Sequence, residues 1–145
     1  MGRRCSWYGL KNAHMKKLFI LCCLVLGASG FGCKQTTAQP QLALVTPNEA
    51  HVLLQNDSVQ VIDVRTPKEF REGHIEHAIN IDFLSASFPD DITVLDKQKP
   101  LLIYCRSGNR SSKSIDLFLK AGYTHLYHLE GGILKWTGAG FKTVQ

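Results

Sequence analysis

The sequence predicts an α/β domain in which a mostly parallel sheet carries helices on both faces. Short runs rich in β-branched and other apolar residues alternate with segments of helical spacing along residues 44–145. Two of these helical segments open with the same signal, Thr-Pro-x-Glu, at Thr46 and Thr66. The apolar run at residues 101–104 is followed at once by Cys105 and a polar loop. In parallel sheets ligands bind beyond the carboxyl ends of the strands, so this loop is where a site is expected.

The chain opens with a leader, residues 1–33. Two lysines precede the apolar stretch from Leu18 to Leu26, and small residues follow it, which is the pattern of a secretory signal peptide. The stretch is too short for an ordinary membrane-spanning helix. Met15 opens a better signal than Met1, and both stay open as the start of translation. We therefore expect an exported protein, periplasmic or held in the cell envelope, from which the leader is removed.

Cys33 lies just after the apolar stretch and before a polar segment, as the modified cysteine of a bacterial lipoprotein does. The residues before it, Gly30, Phe31 and Gly32, depart from the usual lipobox, which begins with Leu and places a small residue second. Lipidation of Cys33 and ordinary cleavage nearby therefore both stay open. A lipid on Cys33 is the one membrane contact that the sequence predicts.

The positive charge of the chain belongs to the leader. The formal net charge is +5, but five of the 17 Lys and Arg residues lie in residues 1–33, which hold no acid. The other 12 are balanced by 12 Asp and Glu residues, so a nucleic-acid surface is not predicted. Four of the five cysteines also lie in residues 1–33. Cys105 is therefore alone in the domain, which excludes a disulfide within it.

Along the chain, residues 34–43 form a polar tether and residues 44–145 the domain. The two Thr-Pro-x-Glu signals are capping boxes, and Gly122 is expected to end the longest helix. The predicted elements, in order, are a helix from Pro47 to about Leu54, a strand over 59–64, a short helix from Pro67 to near Gly73, a short strand over 78–81, a weak helix over 90–95, a strand over 101–104, a helix over 112–121, a strand over 123–129 and a final short helix from Gly131.

The loop that follows the strand at residues 101–104 has the composition of an anion cradle. Gly108 lets the backbone turn back, and Ser107, Asn109 and Ser111 are small or tolerant of turns. Successive backbone N–H groups can then point toward the centre of the ring, near the N-terminus of the following helix.

Cys105 begins this loop and Arg110 can close it with a planar cation suited to an oxyanion. The loop amides, the positive helix end, Arg106 and Arg110 all favour a thiolate at Cys105. A depressed thiol pKa and an anionic substrate are therefore expected.

Three blocks of the sequence, in this order and spacing, resemble the single-domain rhodanese-family sulfurtransferases: VIDVRTPKEFREGHIEHAINI at residues 61–81, CRSGNRS at residues 105–111 and GGILKW at residues 131–136. The resemblance covers about residues 44–141. It implies a three-layer rhodanese-like fold and the transfer of sulfane sulfur from thiosulfate or a similar donor, through a persulfide on Cys105, to a thiol or cyanide-like acceptor. No cofactor and no metal are implied. The loop residues that would hold the persulfide and the donor are Arg106, Ser107, Gly108, Asn109 and Arg110.

Two other functions stay open at this point. A phosphatase or arsenate reductase of related fold resembles Cys-x5-Arg, whereas Cys105 and Arg110 form Cys-x4-Arg, a ring that fits a smaller central atom. A persulfide carrier or protein-binding module without turnover would keep the same loop.

The remaining polar candidates are expected to be structural. Asp63 and Arg65 follow a strand, and we expect an ion pair that braces the loops. His74 and His77 are not expected to bind a metal, since two histidines without further ligands are a weak signal. His125 and His128 are expected to pack or to lie at the surface, and Trp136 to lie in the core or to line a partner surface.

Overall fold

The computed structural model describes residues 39–55 and 57–145, and the predicted leader with Met15 and Cys33 lies outside them. The described strands form one sheet in the order β1-β5-β4-β2-β3, and every neighbouring pair is parallel. This confirms the predicted α/β fold. The elements are β1 (Gln41–Val45), α1 (Pro47–Leu53), β2 (Gln60–Asp63), α2 (Pro67–Arg71), β3 (Ile79–Asn80), α3 (Phe88–Asp91), a 3-10 turn (Ile92–Val94), β4 (Leu101–Tyr104), α4 (Asn109–Lys120), β5 (His125–Leu129) and α5 (Gly132–Gly138).

Strand β4 lies at the centre of the sheet and is buried on both faces. Leu101 and Ile103 point into one apolar cluster, and Leu102 and Tyr104 into the other, because side chains alternate along a strand. All four residues are 0% exposed. A continuous apolar run is what a strand covered on both sides requires, so the site at its carboxyl end stands on a rigid base.

Both predicted capping boxes are present. Thr46 accepts the N–H of Glu49 at the start of α1, and Thr66 accepts the N–H of Glu69 at the start of α2. In each case the glutamate carboxylate accepts a hydrogen bond from the threonine backbone N–H. The box at Thr66 fixes where α2 begins, and thereby places Glu69 beside the loop that follows β4.

The structure differs from the prediction at the bounds of several elements; β5, for example, begins at His125 and not at Tyr123. Strand β1 covers Gln41–Val45, where the tether was predicted to reach residue 43. It lies at the sheet edge with only Val45 buried, and its pairing with β5 is not visible in the sequence. Helix α4 begins at Asn109 and not at Ser112, because the left-handed Gly108 (φ 96°) already ends the loop. The weak helix predicted over 90–95 begins earlier, at Phe88, and finishes as the 3-10 turn.

Within the described residues, each helix is too short or too polar to cross a bilayer.

Candidate active site

Cys105 lies one residue beyond β4, at the carboxyl edge of the sheet, and only 1% of it is exposed. The loop folds over its sulfur. The Gly108 N–H donates to Cys105 Sγ at 3.2 Å, and the Ser111 hydroxyl lies 3.5 Å from the same atom. The predicted convergence of the loop on the sulfur is therefore present in the described structure.

The surroundings of Cys105 favour the thiolate. Burial alone raises the pKa of the thiol, but hydrogen bonds from Ser111, from the Ser107 backbone and from the Gly108 backbone outweigh burial, and the pKa lies below its ordinary value of 9.0. The sulfur is therefore both shielded from water and stabilised as an anion, which is the state of a nucleophilic cysteine.

Helix α5 holds the other side of the loop. The Ile133 N–H donates to the Cys105 carbonyl at 2.9 Å and the Leu134 N–H donates to the Arg106 carbonyl at 3.1 Å. These free N–H groups belong to the first turn of α5, and they bind loop carbonyls while the loop N–H groups are left for the sulfur. A Cβ on Gly132 would lie 2.3 Å from the Cys105 carbonyl oxygen, so only glycine allows this approach.

Arg110 is held by a carboxylate of another element. Its Nη1 and Nη2 donate to the two oxygens of Glu69 at 2.7 and 2.6 Å, in the bidentate arrangement that guanidinium favours. The bond from Arg110 is the largest influence on Glu69; burial opposes it and the Thr66 bonds assist it, so the pKa of Glu69 falls to about 2. The charge of Arg110 is thus balanced by that of Glu69. That Arg110 binds a substrate oxyanion stays a prediction.

The other predicted loop residues lie at the mouth of the site. Arg106, Ser107 and Asn109 are exposed, whereas Gly108 is buried. Among the ion pairs of the described residues, none includes Arg106. Arg106 also lines a cleft of about 260 Å³ beside the loop, together with Glu69 and other residues of both signs. Arg106 is therefore the loop cation that is available to an incoming anion.

Asp63 and Arg65 form the predicted brace. Arg65 Nε and Nη2 donate to the Asp63 carboxylate at 2.6 to 3.0 Å, and both side chains are buried. Arg65 also donates to the Gly73 carbonyl at 2.7 Å, and Asn80 donates to the carbonyls of Asp63 and Arg65. The pair therefore ties the end of β2 to the segment after α2, and within the described residues neither side chain hydrogen-bonds to Cys105 Sγ.

The side chains of Ser111 and His128 contact the site, although no side-chain role at the sulfur was predicted for either. Ser111 is buried in the first turn of α4, and its Oγ lies 2.9 Å from Nε2 of His128 on β5. Only the pairing of β5 beside β4 brings His128 to the loop, and that pairing is not visible in the sequence. A polar side chain close to the carboxyl end of a strand was the available signal. The ring of His74 is stacked on that of Phe70.

Known proteins resemble this chain in sequence and in fold. The family model described as Rhodanese-like domain matches residues 46–139. The thiosulfate sulfurtransferase GlpE of Pseudomonas aeruginosa is 35% identical over 92 residues, which are 63% of this chain and 81% of that protein. An uncharacterized protein of Synechocystis is 37% identical over 101 residues, which are 70% of this chain but 55% of the relative.

The crystal structure of a rhodanese-related protein from Thermoplasma volcanium superimposes with a TM-score of 0.63 at 25% identity, covering 70% of this chain and 97% of that one. The family match spans the capping box of α1, the Cys105 loop, and Gly131 and Gly132 at the start of α5. The chain belongs to the rhodanese-like domain family.

Proposed function

We propose that this protein is a thiosulfate sulfurtransferase-like enzyme that carries sulfane sulfur as a persulfide on Cys105. The observation that carries the proposal is the hydrogen-bonded, buried sulfur of Cys105, whose pKa is lowered inside a Cys-x4-Arg loop. The similarity of the chain to a protein named thiosulfate sulfurtransferase supports the choice of thiosulfate as the sulfur donor.

In the first half-reaction the Cys105 thiolate attacks the outer sulfur of thiosulfate. The S–S bond of the donor breaks, sulfite leaves with the bonding electron pair, and a Cys105 persulfide anion remains. In the second half-reaction an acceptor nucleophile, such as cyanide or a thiolate, attacks the terminal sulfur and expels the Cys105 thiolate. Cyanide becomes thiocyanate, no proton is required, and no outside oxidant or reductant enters either step.

Different residues of the loop attract the donor and stabilise the negative charge on sulfur. Arg106, exposed and without an ion pair in the described structure, attracts the anionic donor to the mouth of the loop. The loop N–H groups and the Ser111 hydroxyl then stabilise negative charge on sulfur. Arg110, fixed by Glu69, keeps the end of the loop in place and adds its field to that of the amides.

The test is steady-state kinetics of thiocyanate formation from thiosulfate and cyanide, with the full-length chain. A single covalent intermediate predicts parallel lines in double-reciprocal plots, the ping-pong pattern. Cys105→Ser is expected to abolish activity, and Arg106→Gln is expected to raise KM for thiosulfate with a smaller change in kcat. Intersecting lines, or activity in C105S above the uncatalysed rate, would contradict the proposal. No turnover with a stable Cys105 persulfide would instead favour a carrier module.

We also propose that the protein is exported, with Cys33 either lipidated or lying near an ordinary cleavage site. The support is the signal-peptide pattern of residues 15–33 in the sequence. These residues lie outside the described structure, so the sequence alone carries this proposal. Cells expressing the full chain, or its Cys33→Ser variant, would be given labelled palmitate and fractionated. Label that depends on Cys33 would support an anchor, whereas an unlabelled periplasmic protein would support ordinary cleavage. Full-length protein in the cytoplasm would contradict export.

A further inference from the structure

The side chain of His128 is linked to the reacting sulfur through one hydroxyl group. His128 Nε2 lies 2.9 Å from Ser111 Oγ, and Ser111 Oγ lies 3.5 Å from Cys105 Sγ. Ser111 is 0% exposed and His128 is half-buried, so bulk water does not readily replace either partner. The mechanism described above uses the Ser111 hydroxyl but leaves open what directs its proton.

The hydroxyl has a single proton and three groups within reach. These are Cys105 Sγ, the Gly108 carbonyl oxygen at 3.1 Å and His128 Nε2. If Nε2 lacks a proton, it accepts from Ser111 and competes directly with the sulfur. If Nε2 carries a proton, it donates to Ser111 Oγ, and the Ser111 proton is left for the remaining two acceptors.

We propose that His128 is a positioning residue that donates its Nε2–H to Ser111 Oγ and so turns the Ser111 hydroxyl toward the Cys105 thiolate. The inference deepens the proposed function, since it rests on Cys105 being the sulfur that reacts. His128 touches neither the sulfur nor an incoming donor in this arrangement, and acts through Ser111 alone.

The surroundings of His128 fit a neutral ring with its proton on Nε2. Burial lowers the pKa of His128, while the carbonyl of Gly108 raises it. In the described structure Nε2 lies 2.9 Å from Ser111 Oγ, and a hydroxyl oxygen can accept the Nε2–H of a neutral ring. The in-register neighbours of His128 on the adjoining strands, Leu44 on β1 and Ile103 on β4, carry no charge. The groups that face the ring from the loop and from α4 are the Gly108 carbonyl and Ser111.

The experiment is a thiolate titration of the full-length chain, followed by ultraviolet absorbance with C105S as the blank. His128→Leu removes the donor and is expected to raise the Cys105 pKa by about one pH unit, a tenfold change in the thiolate equilibrium. His128→Gln, whose amide can place an N–H near the position of Nε2, is expected to keep the pKa close to wild type. His128→Asn, whose shorter amide does not reach Ser111, is a second loss variant in case H128L does not fold.

Ser111→Ala supplies the matched background. S111A alone is expected to raise the Cys105 pKa at least as much as H128L, and H128L is expected to add nothing to S111A, because the effect runs through the hydroxyl. An unchanged pKa in H128L and H128N, a raised pKa in H128Q, or additive effects of S111A and H128L would each overturn the proposal. The titration needs no sulfur donor, so failure of sulfur transfer would leave its result intact.

Discussion

The bond between Glu69 and Arg110 makes a prediction that can be worked through from the structure. Glu69→Gln keeps the size of the side chain and one acceptor oxygen for the capping box, but it removes the charge that Arg110 faces. Arg110 is 21% exposed and Glu69 is 25% exposed, so the pair is only partly screened by water. We therefore expect E69Q to destabilise the fold and to loosen the end of the Cys105 loop.

The size of the effect follows from the pKa of Glu69, which falls from 4.5 to about 2, chiefly through the Arg110 bond. At about 1.4 kcal/mol per pH unit this corresponds to about 3 kcal/mol, and screening of the exposed quarter lowers it to about 2 kcal/mol. The folded-state pKa is the lower one, so the contribution is fully present above pH 4.5 and is lost as the pH falls toward 2.

The assay is urea unfolding of wild type and E69Q at pH 7 and at several lower pH values. Glu49→Gln is the matched control, because Glu49 closes the same capping box on α1 and, within the described residues, its carboxylate hydrogen-bonds only to Thr46. E69Q is expected to lose about 2 kcal/mol of unfolding free energy at pH 7, and far more than E49Q. Equal losses in the two variants, or a loss in E69Q that does not shrink with falling pH, would refute the reasoning.

Three further predictions follow from the same structure. Gly132→Ala places a Cβ 2.3 Å from the Cys105 carbonyl at φ 59°, and should cost more than about 2 kcal/mol in urea unfolding, whereas Gly138→Ala meets nothing within 4 Å and should be neutral or stabilising by about 0.5 kcal/mol. Asp63→Asn leaves the buried Arg65 without its charge partner and should cost about 3 kcal/mol in the same assay. The rate of sulfur uptake from thiosulfate should be constant above the lowered pKa of Cys105, and should fall about tenfold per pH unit below it, because only the thiolate attacks.

Each of these has a contradicting outcome. A G132A variant as stable as G138A would show that α5 does not hold the loop at this distance. An unfolding free energy in D63N equal to wild type would mean that the brace contributes nothing. Uptake that begins to fall only near pH 9.0, the ordinary pKa of a thiol, would mean that the loop does not stabilise the thiolate.

The local signals in the sequence predicted most of the scaffold because each depends on neighbours along the chain. The capping boxes at Thr46 and Thr66 and the apolar run Leu101–Tyr104 were found where the structure has them. Strand β1 was not predicted, because an exposed edge strand forms through its pairing with β5 and its own composition does not identify it.

The sequence predicted the arrangement of the Cys105 loop itself, but not the contacts that other elements make with it. Cys105 and the turn at Gly108 follow from strand-loop-helix order, and the Asp63–Arg65 pair from two residues at the end of one strand. The carboxylate that binds Arg110 belongs to Glu69 on α2, 41 residues away along the chain. The imidazole that contacts Ser111 belongs to His128 on β5, 17 residues away. No spacing rule connects residues across a sheet order of β1-β5-β4-β2-β3, so these contacts needed the three-dimensional structure.

The central claim is that Cys105 carries sulfur, and intact-mass spectrometry tests it most directly. The full-length chain would be measured before and after thiosulfate, and again after cyanide, with C105S treated in parallel. The wild type is expected to gain one sulfur atom and to lose it to cyanide, whereas C105S is expected to show no such gain. No adduct with thiosulfate or any other sulfane donor, or an equal adduct on C105S, would contradict it.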